Sequence, residues 1–244
     1  MVAMKGLVLL AMLLAVGAQE VPGPRALTVT RGSGAARVVH LSFDAGADTG
    51  YAALILDTLA AEGVPASFGV TGQWAQANPE LTRRIVAEGH ELINHSWDHR
   101  SFTGRSDGRG GQTAAQIHEQ LQRTEDVLVA LTGQSPRPYF RPPYGDYDDR
   151  VLEAVYSAGY AYNVLWTIDS AGWRRIPAAQ IVARCLGLAE PGAIIIMHVG
   201  AQSQDGPALA ALIAGLRERG YGFVSLNALL GGSPDQGLAS VGTR

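Results

Sequence analysis

From residue 37 onward, short β-branched or apolar runs alternate with longer helical patterns, and the helices repeatedly close on a glycine that leads into the next run: Gly63, Gly89, Gly159 and Gly220. Glycine accepts the left-handed conformation that ends a helix at little steric cost, so this recurrence marks helix-to-strand turns. The repeating unit is βα, and a succession of such units builds a parallel sheet. Seven strands are expected, near 38–44, 66–70, 91–95, 137–141, 161–166, 193–198 and 222–225. The best-marked helix has Ile117, Leu121, Thr124, Leu128 and Leu131 on one face, with Thr113 and Gln116 spaced as a capping box at its start.

Such a sheet either closes into an irregular barrel or stays open and doubly wound. The placement of chemically active residues favours the barrel: Asp44, His95, Arg141 and His198 each end a different strand, and Asp169 lies just beyond another. In a βα barrel those ends converge on one rim, where active sites are built. The expected fold is an irregular (β/α) barrel of about seven parallel strands.

The 244 residues, 47% of them apolar, supply one core. Lys5, the apolar run Gly6 to Val16 and the small residues Val16-Gly17-Ala18 read as a secretory signal peptide over 1–18, followed by a linker over 19–36 broken by Pro22-Gly23-Pro24. Export is therefore expected, with one folded domain over 37–228 and a flexible tail over 229–244. Arg100 to Gly111, rich in Gly, Arg and Ser and without a period, reads as mobile surface. A net charge of −3 with no Lys/Arg run argues against nucleic acid as a partner, and nothing implies a stable protein partner. Cys185 is the only cysteine, so an intramolecular disulfide is excluded.

His95-Ser96-Trp97-Asp98-His99 places two imidazoles four residues apart at a strand end, a spacing that presents both to one point if the segment makes a helical turn. Asp44 and Asp48, on another rim loop, supply hard oxygen ligands or a base. His40, His90 and His118 belong to no motif and read as structural or surface residues.

These segments resemble the polysaccharide deacetylase family, the NodB-homology domain of carbohydrate esterase family 4, over roughly residues 37 to 228. Ser42-Phe43-Asp44-Ala45-Gly46 is similar to the family's Thr-Phe-Asp-Asp-Gly, and His95 to His99 to its His-Ser-x-x-His. Arg141-Pro142-Pro143-Tyr144-Gly145 is similar to its Arg-x-Pro-Tyr, and Ile196-Met197-His198 to its Leu-x-His. The resemblance implies a hydrolase removing N-acetyl groups from a polysaccharide or oligosaccharide, peptidoglycan or a chitin-like glycan. It implies a divalent metal, usually Zn2+, on His95, His99 and an aspartate. Asp44 would be the catalytic base, oriented by Arg141, and His198 the catalytic acid. The Tyr144 N–H would stabilise the oxyanion, and Pro143, Asp169 and Trp173 would line the substrate groove.

Two positions depart from the pattern. The family's second aspartate, a metal ligand, is Ala45 here, and Asp48 is expected to replace it. In Asp169-Ser170-Ala171-Gly172-Trp173, similar to Asp-x-x-Asp-Trp, the aspartate that orients the acid histidine is Gly172, leaving Asp169 to compensate or His198 less strongly tuned. These departures motivate an alternative, an inactive relative that binds glycan without turnover.

Overall fold

The computed structural model describes residues 23–231; the expected signal peptide and the tail beyond Gly231 lie outside the described residues. Its centre is three strands: β2 (Val38–Ala45), β3 (Ala66–Val70) and β8 (Ile194–His198). β3 is buried along its whole length, as a strand covered on both faces must be. β4 (Glu91–Asn94), β5 (Tyr139–Phe140) and β6 (Tyr162–Val164) extend the sheet beyond β3, and β7 (Ile168–Asp169) lies outside β8. β9 (Gly222–Phe223) pairs with the start of β2. β1 (Leu27–Val29) pairs with β6, and every strand pairing is parallel.

The nine strands run in the order β1-β6-β5-β4-β3-β2-β8-β7, with β9 off this path. Thr167 Oγ1 donates to the Thr30 carbonyl at 2.7 Å and the Gly32 N–H to the Gly192 carbonyl at 2.8 Å, so the segment after β1 ties the two sheet edges together and the sheet curls round on itself. The barrel expectation holds; the expected linker does not end where the sheet begins, since residues 27–29 form an edge strand. β1 and β7 escape a sequence reading because three and two residues are too few to show a period.

α1 (Ala52–Glu62), α3 (Pro79–Ala87), α6 (Ala178–Leu188) and α7 (Asp205–Glu218) pack around the sheet over a core that includes Phe43, Phe68, Ile195 and Leu209. α4 (Ala114–Thr132) and α5 (Asp149–Ser157) cover β5 and β6 through Ile117, Leu121, Phe140 and Val155. Two short helices, α2 (Gly72–Ala77) and α8 (Leu226–Leu229), fill the connections. The Thr113/Gln116 capping box forms at the start of α4, and Gly63, Gly89, Gly159 and Gly220 all take positive φ. Cys185 is buried, its thiol pushed up to about 12 by that burial. No helix among the described residues is long and apolar enough to cross a membrane.

The stretch from Arg100 to Gly111, expected as mobile surface, is instead an anchored loop. Asp146 accepts hydrogen bonds from Ser101 Oγ (2.8 Å), Ser106 Oγ (2.9 Å) and Arg105 Nη2 (3.0 Å), and also from Thr103. The loop has no period because one carboxylate, 40 residues along the chain from Ser106, organises it.

Candidate active site

β2 builds the floor of the site by simple alternation. Val39, Leu41, Phe43 and Ala45 enter the core beneath the helices, while His40, Ser42 and Asp44 take the opposite face, inside the curl of the sheet. Parallel register sets Asp44 beside His198 on one side and Gly69 on the other. A Cβ at Gly69 would overlap Asp44 Oδ1 and lie 3.4 Å from Arg141 Nη1, so glycine there leaves room for the carboxylate.

Arg141, at the end of β5, is fully buried and spans the interior. Nη1 donates to Asp44 Oδ1 at 2.7 Å, Nη2 to Ser42 Oγ at 2.8 Å and Nε to the Val164 carbonyl at 2.9 Å. A buried guanidinium is tolerable only when paired and bonded in this way. Behind it the interior continues as a polar file. Ser42 bonds to Ser67 Oγ (2.8 Å), Ser67 to His40 Nε2 (2.7 Å), and His40 Nδ1 to the Val224 carbonyl (2.9 Å). Burial alone would raise the Asp44 pKa, but His95, Arg141 and His198, together with the Arg141 hydrogen bond, hold it down at about 2. Asp44 is ionised at any ordinary pH.

The two imidazoles come from the loop after β4. The segment is a tight loop rather than the helical turn the spacing allowed: Ser96 and His99 take positive φ of 67° and 61°. Asn94 Oδ1 accepts from the Ser96 N–H and Gln120 Oε1 from the Trp97 N–H, holding these sparsely populated conformations in place. The carbonyls of Ser96 and Trp97 in turn accept from Gly72 and Gln73, the opening amides of α2.

His95 Nδ1 donates to the Arg141 carbonyl at 2.9 Å, which leaves the lone pair on Nε2. Nε2 is buried, has no hydrogen-bond partner among the described residues, and lies 3.5 Å from Asp44 Oδ2. A lone pair facing a carboxylate is a donor set waiting for a cation. The His99 ring stands edge-on to His95, centroids 4.9 Å apart, and to Tyr144 at 4.6 Å. Burial, reinforced by the neighbouring His95, holds His99 at about 4, and burial likewise lowers His95, so both rings have the neutral form that metal ligation requires. His95 and His99 therefore suit a divalent cation, although among the described residues no three His, Cys, Asp or Glu side chains form a cluster arranged to hold one.

The expected third ligand has one oxygen committed to a backbone amide. Asp48 lines the cleft, but its Oδ1 accepts from the Ala201 N–H at 2.7 Å, binding the β2 loop to the loop after β8, and it makes no ion-pair contact with either imidazole. Ala45 is wholly buried in the core, so its side chain position does not face the cleft.

His198 ends β8 and its side chain is about one-third exposed to the cleft (32%). Burial alone would lower its pKa; the Asp205 carboxylate, with Asp44 and Asp169 nearby, outweighs that and raises it. Asp205 was not legible in the sequence, where an acid in the first turn of a helix needs no further explanation.

The cleft over these residues encloses about 800 Å³, a size suited to a small-molecule ligand or a few sugar rings. Tyr144 (54% exposed) and Trp173 (58%) stand at its rim. Tyr144 sits in the turn Pro143–Gly145 at φ 62°, after the buried Pro143. Asp169 fixes the Trp173 wall, its Oδ2 accepting from Trp173 Nε1 at 2.9 Å and its Oδ1 from the Ala171 N–H at 2.7 Å.

Residues 31–163 match the polysaccharide deacetylase family. The chain is 34% identical to a chitooligosaccharide deacetylase of Sinorhizobium fredii over 213 residues, covering 82% of this chain and 94% of the relative. It is 30% identical to the peptidoglycan-N-acetylmuramic acid deacetylase PdaA of Bacillus subtilis over 197 residues, covering 80% and 72%. The solved structure of Bacillus subtilis PdaA, a family 4 carbohydrate esterase, superposes with a TM-score of 0.75 at 29% identity, covering 83% of this chain and 84% of that one. A CE4 family pseudoenzyme from Bacillus anthracis superposes equally well, TM-score 0.75 at 28% identity, covering 85% and 69%. Fold and sequence similarity agree through most of the described chain, which belongs to the polysaccharide deacetylase family.

Proposed function

We propose that this chain is a metal-assisted carbohydrate de-N-acetylase acting on an N-acetylglucosamine-type glycan of the cell envelope, and that it is exported to reach it. The observation that carries the reading is the β2–β8 register. It sets Asp44, held ionised, beside His198, whose pKa the surrounding carboxylates raise above its usual value, at the bottom of one cleft. Opposite protonation preferences on adjacent strand ends are what a base and an acid need to act in one turnover.

In amide hydrolysis water adds to the acetyl carbonyl carbon, the C–N bond breaks, and acetate and a free amine result. Asp44 accepts the proton that water loses. His198 gives its proton to the departing nitrogen, which leaves poorly without it. Arg141 holds Asp44 Oδ1, so the proton goes to Oδ2 on the cleft side. A divalent cation on His95 and His99, zinc being the family's usual choice, would polarise the carbonyl and acidify the water that so weak a base must deprotonate. Tyr144 and Trp173 offer apolar faces for sugar rings at the rim.

Acetate release from chitin oligomers and from peptidoglycan, combined with metal analysis, tests this reading. One divalent ion per chain is expected, with most of it lost in His95→Ala and in His99→Ala. Acetate release should fall by at least about 100-fold in Asp44→Asn and in His198→Ala. Recovery of the N-terminus from the envelope or medium, beginning near Gln19, tests export.

A second reading, glycan binding without turnover, is favoured by Ala45, by the hydrogen bond that engages Asp48 with the Ala201 amide and by the similarity to a pseudoenzyme. Binding of chitin oligomers by a metal-loaded chain that releases no acetate would establish it.

A further inference from the structure

The position that should carry the histidine-orienting carboxylate is Gly172, at the start of a short turn directly after β7, which pairs with the His198 strand. A side chain there would have no room. A Cβ built on Gly172 falls 2.5 Å and 2.6 Å from the two carboxylate oxygens of Asp205, and closer still to Ser203 Oγ. The space is filled by a carboxylate from another element.

Asp205 is the first residue of α7 and is completely buried. Its Oδ2 accepts from the His198 N–H at 2.8 Å and from Ser203 Oγ at 2.6 Å, and lies 3.8 Å from His198 Nδ1. That last distance is ion-pair reach rather than a formed hydrogen bond. Asp205 Oδ1 and His198 Nδ1 are both buried without a hydrogen-bond partner among the described residues, and the carboxylate comes within ion-pair reach of Nδ1 through Oδ2. A buried carboxylate with an unsatisfied oxygen is costly, and an imidazolium N–H beside it removes that cost. A carboxylate serving only to start the helix would accept from amides of the first turn; the hydrogen bonds of Asp205 go instead to His198 and Ser203. Asp169, the other candidate, already spends both oxygens on Ala171 and Trp173.

We propose that Asp205 is the positioning residue for His198, supplying from the start of α7 the carboxylate that Gly172 cannot. Absence at 172 and presence at 205 are then one exchange, since the two side chains would occupy the same volume. Asp205 holds the backbone of His198 and faces Nδ1, which leaves Nε2 as the nitrogen turned to the cleft. The proposal rests on the acid role of His198 given above. Asp44 from β2 and Asp169 from β7 also act on this imidazole and remain in every variant below, so a difference between variants reports Asp205 alone.

The test is the titration of His198 by nitrogen-15 NMR, with kcat and KM for chitin-oligomer deacetylation measured against pH. In Asp205→Asn the His198 pKa should fall by about one unit or more, kcat by at least about tenfold, and KM by less than about twofold either way. Because the acid must be protonated, the alkaline limb of the kcat profile should move to lower pH. Gly172→Asp alone should be strongly impaired by crowding, whereas Gly172→Asp with Asp205→Ala should regain a raised His198 pKa and exceed Asp205→Ala in kcat. A His198 titration identical in wild type and Asp205→Asn overturns the pairing. Should Asp205→Asn not fold, the double variant decides, and a His198 titration no higher than in Asp205→Ala overturns it. A wild-type protein that releases no acetate would refute the proposed function, while the titration would still decide whether Asp205 governs His198.

Discussion

Asp44 and Arg141 show how much of this site depends on a few atoms of clearance. Arg141 is wholly buried, Asp44 nearly so, and their 2.7 Å contact is possible because Gly69, on the strand beside Asp44, has no side chain. Adding one methyl group there overlaps Asp44 Oδ1 and crowds Arg141 Nη1, so the pair must shift. Gly69→Ala is therefore expected to cost about 1–3 kcal/mol of stability, as overpacking typically does, and to lower kcat far more than a surface substitution would. Urea unfolding and acetate release measured on the same preparation check both; a variant with unchanged midpoint and turnover would show that the pair has slack. No motif marks Gly69. Its requirement appears once β3 is laid beside β2 in register.

At the scale of the element, β2 is a strand of two characters, apolar toward the helices and polar toward the interior, and that alternation was visible at His40, Ser42 and Asp44. Its consequence for His40 was not. A lone histidine reads as structural, yet here it ends a directional file in which Nδ1–H donates to Val224, Ser67 donates to Nε2, Ser42 donates to Ser67, and Arg141 donates to Ser42 and Asp44. The file needs a neutral His40. Burial, the dominant cause, with Arg141 and His90 adding to it, lowers its pKa to about 4 from the usual 6.5. The sign follows: the unfolded chain takes up a proton at higher pH than the folded one. The stabilising contribution is complete above pH 6.5 and is lost as pH falls toward 4, by about 3 kcal/mol in all. His40→Gln, which can still bond but cannot titrate there, should flatten this part of the stability profile. Urea midpoints between pH 7 and pH 4 measure the difference, and parallel wild-type and variant profiles would count against it.

For the whole molecule, closure of the sheet is the controlling event. Parallel strands place all their C-terminal ends on one side, and curling then brings strand ends far apart in sequence to a common rim. The N-terminal segment takes part in that closure. Leu27 to Val29 pair with β6, Arg31 bridges to Ala193, and Arg31 and Arg25 form ion pairs with Glu190 and Asp149. A chain beginning at Ala35 would leave the β6 edge bare and the sheet open, whereas one beginning at Gln19 keeps the closure intact. The shorter protein is expected to melt lower by on the order of 5–10 °C and to aggregate through the exposed edge. Calorimetry and light scattering on the two proteins compare them directly. Identical melting would show that the segment lies on the sheet without supporting it.

The amino-acid order was sufficient for the alternation of strands and helices, for the glycines that close helices, and for placing Asp44, His95, Arg141 and His198 at strand ends. These properties depend on spacing and on near-neighbour sterics, which a chain carries before it folds. The partners of those residues were not legible in the same way. Arg141 meets Asp44 across 97 positions, a pairing that only the motif resemblance supplied, while Asp48 meets Ala201 across 153 and the carboxylate beside His198 comes from α7 rather than from the turn where that resemblance placed it. Each of these pairings depends on sheet register and on which side chain reaches a shared volume first, and neither quantity exists until the strands are laid side by side and the sheet has closed. Asp48, a candidate ligand by spacing, gives one oxygen to a backbone amide of a loop that is its neighbour only in the folded molecule.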